Sequence, residues 1–266
     1  MHPKMFAESA SYERFMGRWS RRLSPGFVKF VAGPDAGFVL DVGSGTGALS
    51  FAIASALPSA HVIGVDAAAP YVAAANAGVT DGRVRFMVGD AQHLQFAARS
   101  FDLVVSMLAM NFVPDPAKAV REMVRVTRDG GVVAAAVWDY DDRMQMLRIF
   151  WDEAIRHDPL ARAKDEGNMP ICRPGDLPAL WKGQGLEHVR ERAIEIETAF
   201  SSFDDYWLPF LGGQGPVGSY VARLSERKRA ALREQLRQRL LNDGPDRAIT
   251  LRARAWAVKG TVPQRR

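Results

Sequence analysis

Between residues 38 and 138, short apolar runs alternate with helix-length stretches, and most of the runs close on an aspartate or a glycine. The runs FVLDV, HVIGV, VRFMV and FDLVVSM predict strands over 38–42, 61–65, 84–88 and 101–107. Helices are expected over 46–57, 69–77 and 116–127, the last with Pro116 in its first turn and Asp115 as its N-cap. The pair Gly130-Gly131 is expected to end that helix and open a fifth strand over 132–138. Such strands are apolar without a break because helices cover both faces of the sheet. Right-handed strand–helix–strand units then give an α/β, doubly wound, Rossmann-like parallel sheet.

The rhythm changes after Trp138. Residues 139–172 read as helical and irregular, 176–182 as a short helix, and 188–196 as an alternating strand. A loop and a basic helix fill 200–245, and 249–258 alternates as a final, half-exposed strand. One domain with a helical insertion accounts for this pattern, and 266 residues are ample for its core.

Composition removes several classes. No apolar run approaches the roughly 18 residues that span a bilayer, so no membrane span is expected. The opening MHPKMFAESASYERF lacks the apolar stretch of a secretory leader. The single cysteine, Cys172, fits a reducing compartment, so a cytoplasmic location is expected. The five histidines show no H-x-x-x-H or H-x-E spacing, and no metal site is expected. The net charge of +5 is matched by 223–239 alone, with seven Arg/Lys and two Glu. Leu224, Leu232, Leu236 and Leu240 give that stretch an apolar stripe, and no aromatic residue interleaves with its charges. It reads as a solvated helix face, and no nucleic-acid partner is expected.

The chemistry lies in VLDVGSGTGALS, residues 39–50, where a strand meets Asp41 and then Gly43, Gly45 and Gly47 before a helix. Glycines let the backbone turn sharply and leave room for a ligand beside the free N–H groups of a helix start. Read as G-x-G-x-x-A, the stretch is a weak dinucleotide fingerprint. Asp66 closes the second strand and can accept two ribose hydroxyls, which suits a nicotinamide dinucleotide equally well. A third acid, Asp90, ends the third strand in MVGDAQHL, with small Ala91 after it.

Taken as D-x-G-x-G-x-G, and joined by MVGDAQHL, FDLVVS and AVREMVRVTRDGGVV, the pattern resembles the class I S-adenosylmethionine-dependent methyltransferases, the ubiquinone-biosynthesis-like or type 11 group in particular. The resemblance implies a seven-stranded, mostly parallel sheet whose last strand, LRARAWAVKGTVP, is antiparallel. It implies S-adenosylmethionine as cofactor and a small-molecule methyl acceptor as partner, with a homodimer admissible. Asp41, Gly43, Gly45 and Thr46 then form the glycine turn, Asp66 and Ala67 meet the ribose, Asp90 and Ala91 meet the adenine, and Met107 touches the cofactor. Residues 1–37 would form a helical lid, 38–138 the cofactor core, and 139–266 the rest of the same domain. In the lid, Tyr12, Met16 and Arg18 are candidate cofactor contacts, although Phe15, Trp19, Leu23 and Phe27 also fit an ordinary core stripe.

LAMNFV places Asn111 where family members often carry histidine, so no catalytic histidine carries over. In-line methyl transfer relies mainly on alignment, and His157 and Asp139 are only weak candidates for a base. Phe150, Trp151, Phe203, Tyr206, Trp207 and Phe210 either line an apolar acceptor pocket or pack the insertion. A cofactor-binding protein without transferase activity and a nicotinamide oxidoreductase remain as alternatives. The second lacks a Tyr-x-x-x-Lys pair.

Overall fold

The computed structural model describes residues 9–31, 33 and 37–264. The first eight residues of the expected lid and positions 32 and 34–36 lie outside them. A short helix α1 (Ser9–Tyr12), one π-helical turn (Glu13–Gly17) and α2 (Arg18–Val31) open the described chain. The core follows as β1 (Phe38–Val42), α3 (Ala48–Ala56), β2 (His61–Asp66), α4 (Ala69–Ala77), β3 (Val84–Val88), β4 (Phe101–Met107), α5 (Pro116–Val126) and β5 (Thr127–Trp138). The remainder supplies α6 (Gln145–His157), α7 (Asp176–Gly183), β6 (Glu187–Phe200), α8 (Phe203–Trp207), α9 (Gly215–Val221), α10 (Glu226–Leu241) and β7 (Ile249–Thr261). Turns of 3-10 helix occupy Pro159–Lys164, Glu166–Asn168 and Leu208–Gly212.

The seven strands form one sheet in the order β3-β2-β1-β4-β5-β7-β6. β1 to β5 pair in parallel, and β7 runs antiparallel to both β5 and β6. The α/β, Rossmann-like, mostly parallel sheet with an antiparallel last strand is therefore present. Winding proceeds outward from β1 to β3 and then returns to β4 on the other side. The switch point between β1 and β4 opens a crevice at the carboxyl ends of the strands, where open α/β sheets bind ligands.

Two boundaries correct the sequence expectation. The helix expected from 46 begins at Ala48, because Gly45 and Gly47 adopt left-handed φ of 55° and 91°. The glycine pair at 130–131 does not open β5. The strand starts at Thr127, immediately after α5, and its pairing jumps from Phe101↔Thr127 to Leu103↔Val132, so the glycines sit within an irregular stretch of the ladder. β6 and β7 are also longer than their alternation indicates. Most of β6 is exposed or half-buried, and its Glu and Arg residues face water at the edge of the sheet.

Trp19, Leu23 and Phe27 of α2 are buried with Phe15, so this stripe does belong to the core. The insertion aromatics form a second packed layer. Phe150 lies 4.8 Å from Phe210, Tyr206 lies 5.2 Å from Phe210, and the Tyr206 hydroxyl donates to the Met146 carbonyl at 3.0 Å. In α10, Arg233 pairs with Asp204 at 2.7 Å and Arg239 with Asp152 at 2.8 Å, while Leu232 and Leu236 are buried. Its charge is thus partly tied to neighbouring acids.

Asp115 caps α5 by accepting from the Lys118 N–H at 2.9 Å. Asp115→Ala is expected to lower stability by about 1 kcal/mol, read as a fall of roughly 2–4 °C in Tm by circular dichroism.

Candidate cofactor and acceptor site

The glycine turn leaves β1 with its backbone fixed to β2. The N–H groups of Gly43 and Ser44 both donate to the Val65 carbonyl, at 2.7 and 3.0 Å. Gly43 has a φ of 75°, and a Cβ there would lie 2.3 Å from the Cβ of Ala109, so the turn after β1 can lie against the segment after β4 only without a side chain. Gly45 differs. A Cβ on it would meet nothing within 4 Å, and its face opens into a cavity. One Asp66 oxygen accepts from the Gly45 N–H at 2.8 Å, and the other accepts from the Ala68 N–H at 2.8 Å. The carboxylate at the end of β2 therefore holds the turn in shape. Burial is the main cause that raises its pKa above the usual range.

The cavity measures about 340 Å³ and lies across the carboxyl ends of β1 to β5. Its wall includes Asp41, Gly43, Gly45, Thr46, Asp66, Ala67, Asp90, Ala91, Met107, Tyr12 and Met16, which are all the residues expected at the cofactor except Arg18. Asp41 is 1% exposed; one oxygen accepts from the Ser50 hydroxyl at 2.7 Å, while the buried Oδ1 has no partner. Desolvation pushes this carboxyl up to about 7. Asp90 is exposed at the rim, where the Gln92 N–H at 2.8 Å lowers its pKa. Leu108, also in the wall, has a φ of 63°, a strained conformation that tends to occur at functional sites.

The N-terminal segment contributes Tyr12, Phe15 and Met16 to the wall. The Tyr12 ring packs 5.1 Å from Tyr71 on α4, and its hydroxyl shares a 3.1 Å hydrogen bond with Ser20. The Thr46 hydroxyl donates to Glu13 in the π-helical turn, which ties lid to glycine turn.

Other candidates lie elsewhere. Arg18 does not reach the cavity: its guanidinium pairs with Asp205 at 2.8 Å and stacks on Trp19 and Phe200. His157 is exposed at the end of α6 and is not in the wall. Asp139 is buried between the wall residues Trp138 and Tyr140, yet its own carboxylate faces Arg254 at 3.6 Å and accepts from the Asp142 N–H. Phe150, Trp151, Phe203, Tyr206, Trp207 and Phe210 pack the insertion and line no part of the cavity. Instead, Phe15 rests on Phe210 at 5.7 Å, so that layer supports the lid. Among the described residues, no cluster of His, Cys, Asp or Glu has metal-binding geometry, and no helix is long and apolar enough to cross a membrane.

Beyond the expected set, the wall also holds the polar residues Tyr71, Tyr140, Glu166 and Gln214, among others. Tyr71 donates to Gln214 at 3.0 Å, closing the gap between α4 and the segment before α9. Only Tyr140, directly after β5, carried a positional signal, because that loop falls at the functional edge of the sheet.

A glycine turn with acids at or near the ends of three successive strands thus borders the cavity at the switch point of a doubly wound sheet. Residues 40–135 match the family described as a methyltransferase domain. A demethylmenaquinone methyltransferase from Roseiflexus sp. is 38% identical over 186 residues, covering 65% of this chain and 77% of the relative. A 2-methyl-6-phytyl-1,4-hydroquinone methyltransferase from Synechocystis sp. is 33% identical over 123 residues, covering 46% of this chain and 38% of that protein. Among solved structures, phosphoethanolamine N-methyltransferase 2 of Haemonchus contortus in complex with S-adenosyl-L-methionine matches with a TM-score of 0.59 at 17% identity, over 96% of this chain and 57% of the other. The chain belongs to the class I S-adenosylmethionine-dependent methyltransferases.

A side chain at Gly45 would enter the cavity and strain a left-handed residue. Gly45→Val is expected to abolish binding of S-adenosylhomocysteine in calorimetric titration while the far-ultraviolet circular dichroism stays native. Arg18→Ala is expected to leave that affinity unchanged in the same titration, because Arg18 faces Asp205.

Proposed function

We propose that the enzyme methylates a small hydroquinone-type acceptor, with S-adenosylmethionine seated along the glycine turn and the acceptor under the lid. When bound, the cofactor supplies a methyl group as an electrophilic carbon on a sulfonium. Gly43, Gly45 and Thr46 cradle its methionyl end. Asp41 faces its ammonium, Asp66 with Ala67 holds the ribose, and Asp90 with Ala91 borders the adenine. Met107 and Tyr12 pack against its middle and exclude water. The observation that carries this reading is the buried, unpartnered Oδ1 of Asp41 in the cavity wall. An orphan acceptor is unfavourable unless a ligand donor meets it.

The acceptor assignment rests on the aromatic residues of the wall and on the names of the two relatives, both of which are named for quinone-type rings. Tyr12, Phe15, Phe112, Trp138 and Tyr140 give that space a flat, apolar lining suited to a planar ring. The free, buried Cys172 accords with a reducing, cytoplasmic setting, in which a quinol persists.

Two measurements test the proposal. Transfer of radiolabelled methyl from S-adenosylmethionine to a short-chain 2-prenyl-1,4-naphthohydroquinone is expected, with no transfer to the oxidised quinone. Cofactor with no transfer to any hydroquinone would mark a different acceptor or a binding protein. The Asp41 carboxyl also sets a sign for pH. Because it must be ionised to meet an ammonium, S-adenosylmethionine affinity is expected to rise as pH passes upward through about 7. In Asp41→Asn the affinity is expected to be weaker and flat over that interval.

A further inference from the structure

Glu166 is a buried carboxylate that neither the sheet nor the cofactor end of the cavity explains. It opens the 3-10 turn Glu166–Asn168, is 3% exposed, and lines the cavity. Its Oε1 accepts from the Val217 N–H at 3.1 Å, and its Oε2 accepts from the Trp151 indole N–H. Its donors are thus all neutral, and among the described residues no basic side chain pairs with it. Buried charges are ordinarily paired, so an unpaired one in a cavity wall points to use by a ligand. Oε1 lies 3.9 Å from where a Cβ on Gly215 would stand, and the Phe15 ring edge lies at the same distance from that point. The carboxylate is therefore placed beside the seam between the lid and the segment 214–216.

We propose that Glu166 is the proton acceptor for the hydroxyl of the methyl acceptor. This rests on the hydroquinone reading above. A phenolic hydroxyl ionises near pH 10, so a ring needs a base to become nucleophilic at neutral pH. The O–H bond breaks, its electron pair stays on oxygen, and the proton joins Glu166. The adjacent ring carbon then forms a bond to the methyl carbon as the sulfur–methyl bond breaks, with that pair remaining on sulfur. Loss of the ring-carbon proton to water restores aromaticity, and Glu166 returns its proton to the phenolate oxygen. One proton is released overall, and no oxidant or reductant is consumed.

The surroundings keep this base near neutrality. Burial is the largest cause raising the carboxyl to about 7, and its own backbone N–H, Trp151 and Val217 hold it back only in part. Asp165 on the same turn adds negative charge but is itself paired with Arg148 of α6 at 2.6 Å. From the loop after β5, Tyr140 faces it with a hydroxyl raised well above its usual value, beside the Cys172 thiol, which burial lifts to about 12. The N-terminal segment brings Phe15 beside it and, elsewhere in the wall, Tyr12, whose hydroxyl burial lifts to about 12, while α9 offers the Val217 N–H. Neither Tyr140 nor Cys172 ionises in the range where Glu166 does.

The experiment compares wild type with Glu166→Gln, using radiolabelled S-adenosylmethionine and 2-prenyl-1,4-naphthohydroquinone across pH 5.5–9. Wild-type kcat is expected to rise with pH through about 7. Glu166→Gln should lose roughly 10²–10⁴-fold in kcat and lose that limb, with S-adenosylhomocysteine affinity retained. A readout without turnover uses tryptophan fluorescence, because Glu166 accepts from Trp151. The wild type should show an inflection near pH 7 that is absent from Glu166→Gln. Wild-type transfer with an unaltered kcat in Glu166→Gln, or fluorescence titrations that coincide, would overturn the inference alone. No transfer by wild type to the hydroquinone would overturn the acceptor reading and this inference with it.

Discussion

The site depends on one carboxylate reaching back across a turn. Asp66 accepts from the backbone of Gly45 and of Ala68, while the Val65 carbonyl just before it accepts from Gly43 and Ser44. The end of β2 therefore fixes the shape of the loop that leaves β1. Charge-assisted hydrogen bonds to backbone N–H groups are among the stronger ones available. Here they hold a turn in which Gly43, Gly45 and Gly47 take left-handed φ at alternate positions. Once this turn is fixed, the start of α3, Asp41 and the rim acid Asp90 all border one cavity.

Beside that fixed turn the N-terminal segment is held by two sets of contacts. The π-helical turn brings Glu13 over Thr46, and such turns are frequent at functional sites. Behind it, Phe15 leans on Phe210, which is itself packed by Phe150 and Tyr206. The insertion thus acts twice. Its aromatic core holds the lid from behind, and its 3-10 turn sends Glu166 into the same cavity from the far side of Trp151. Arg18 belongs to this scaffold as well, sandwiched between Trp19, Phe200 and Asp205.

Much of the core could be read from the sequence because its signals are local. Strand and helix bounds at Val84–Val88, Phe101–Met107 and Ala69–Ala77 follow from apolar runs between turn residues. The positions of Gly43, Gly45, Asp66 and Asp90 follow from turn chemistry at strand ends. What was not legible depends on long-range placement. Nothing in the charged stretch 139–172 distinguishes Glu166 from its neighbours until Trp151 and Val217 fold over it. Arg18 had the right residue type for a carboxylate contact, but Asp205, far along the chain, claims it. The insertion aromatics had the composition of a pocket and became a core because they meet one another first. Gly130-Gly131 looked like a helix stop, yet Thr127 already pairs with Phe101.

The central claim is that the cofactor lies along the turn from Gly43 to Thr46, with its ribose on Asp66. A crystal structure of the complex with S-adenosylhomocysteine tests it most directly. The account predicts the nucleoside between Gly45 and Asp90, both ribose hydroxyls on the Asp66 carboxylate and the amino group on Asp41. A nucleoside bound elsewhere, or a crevice filled by protein side chains with Asp66 still turned only toward its own backbone, would contradict it.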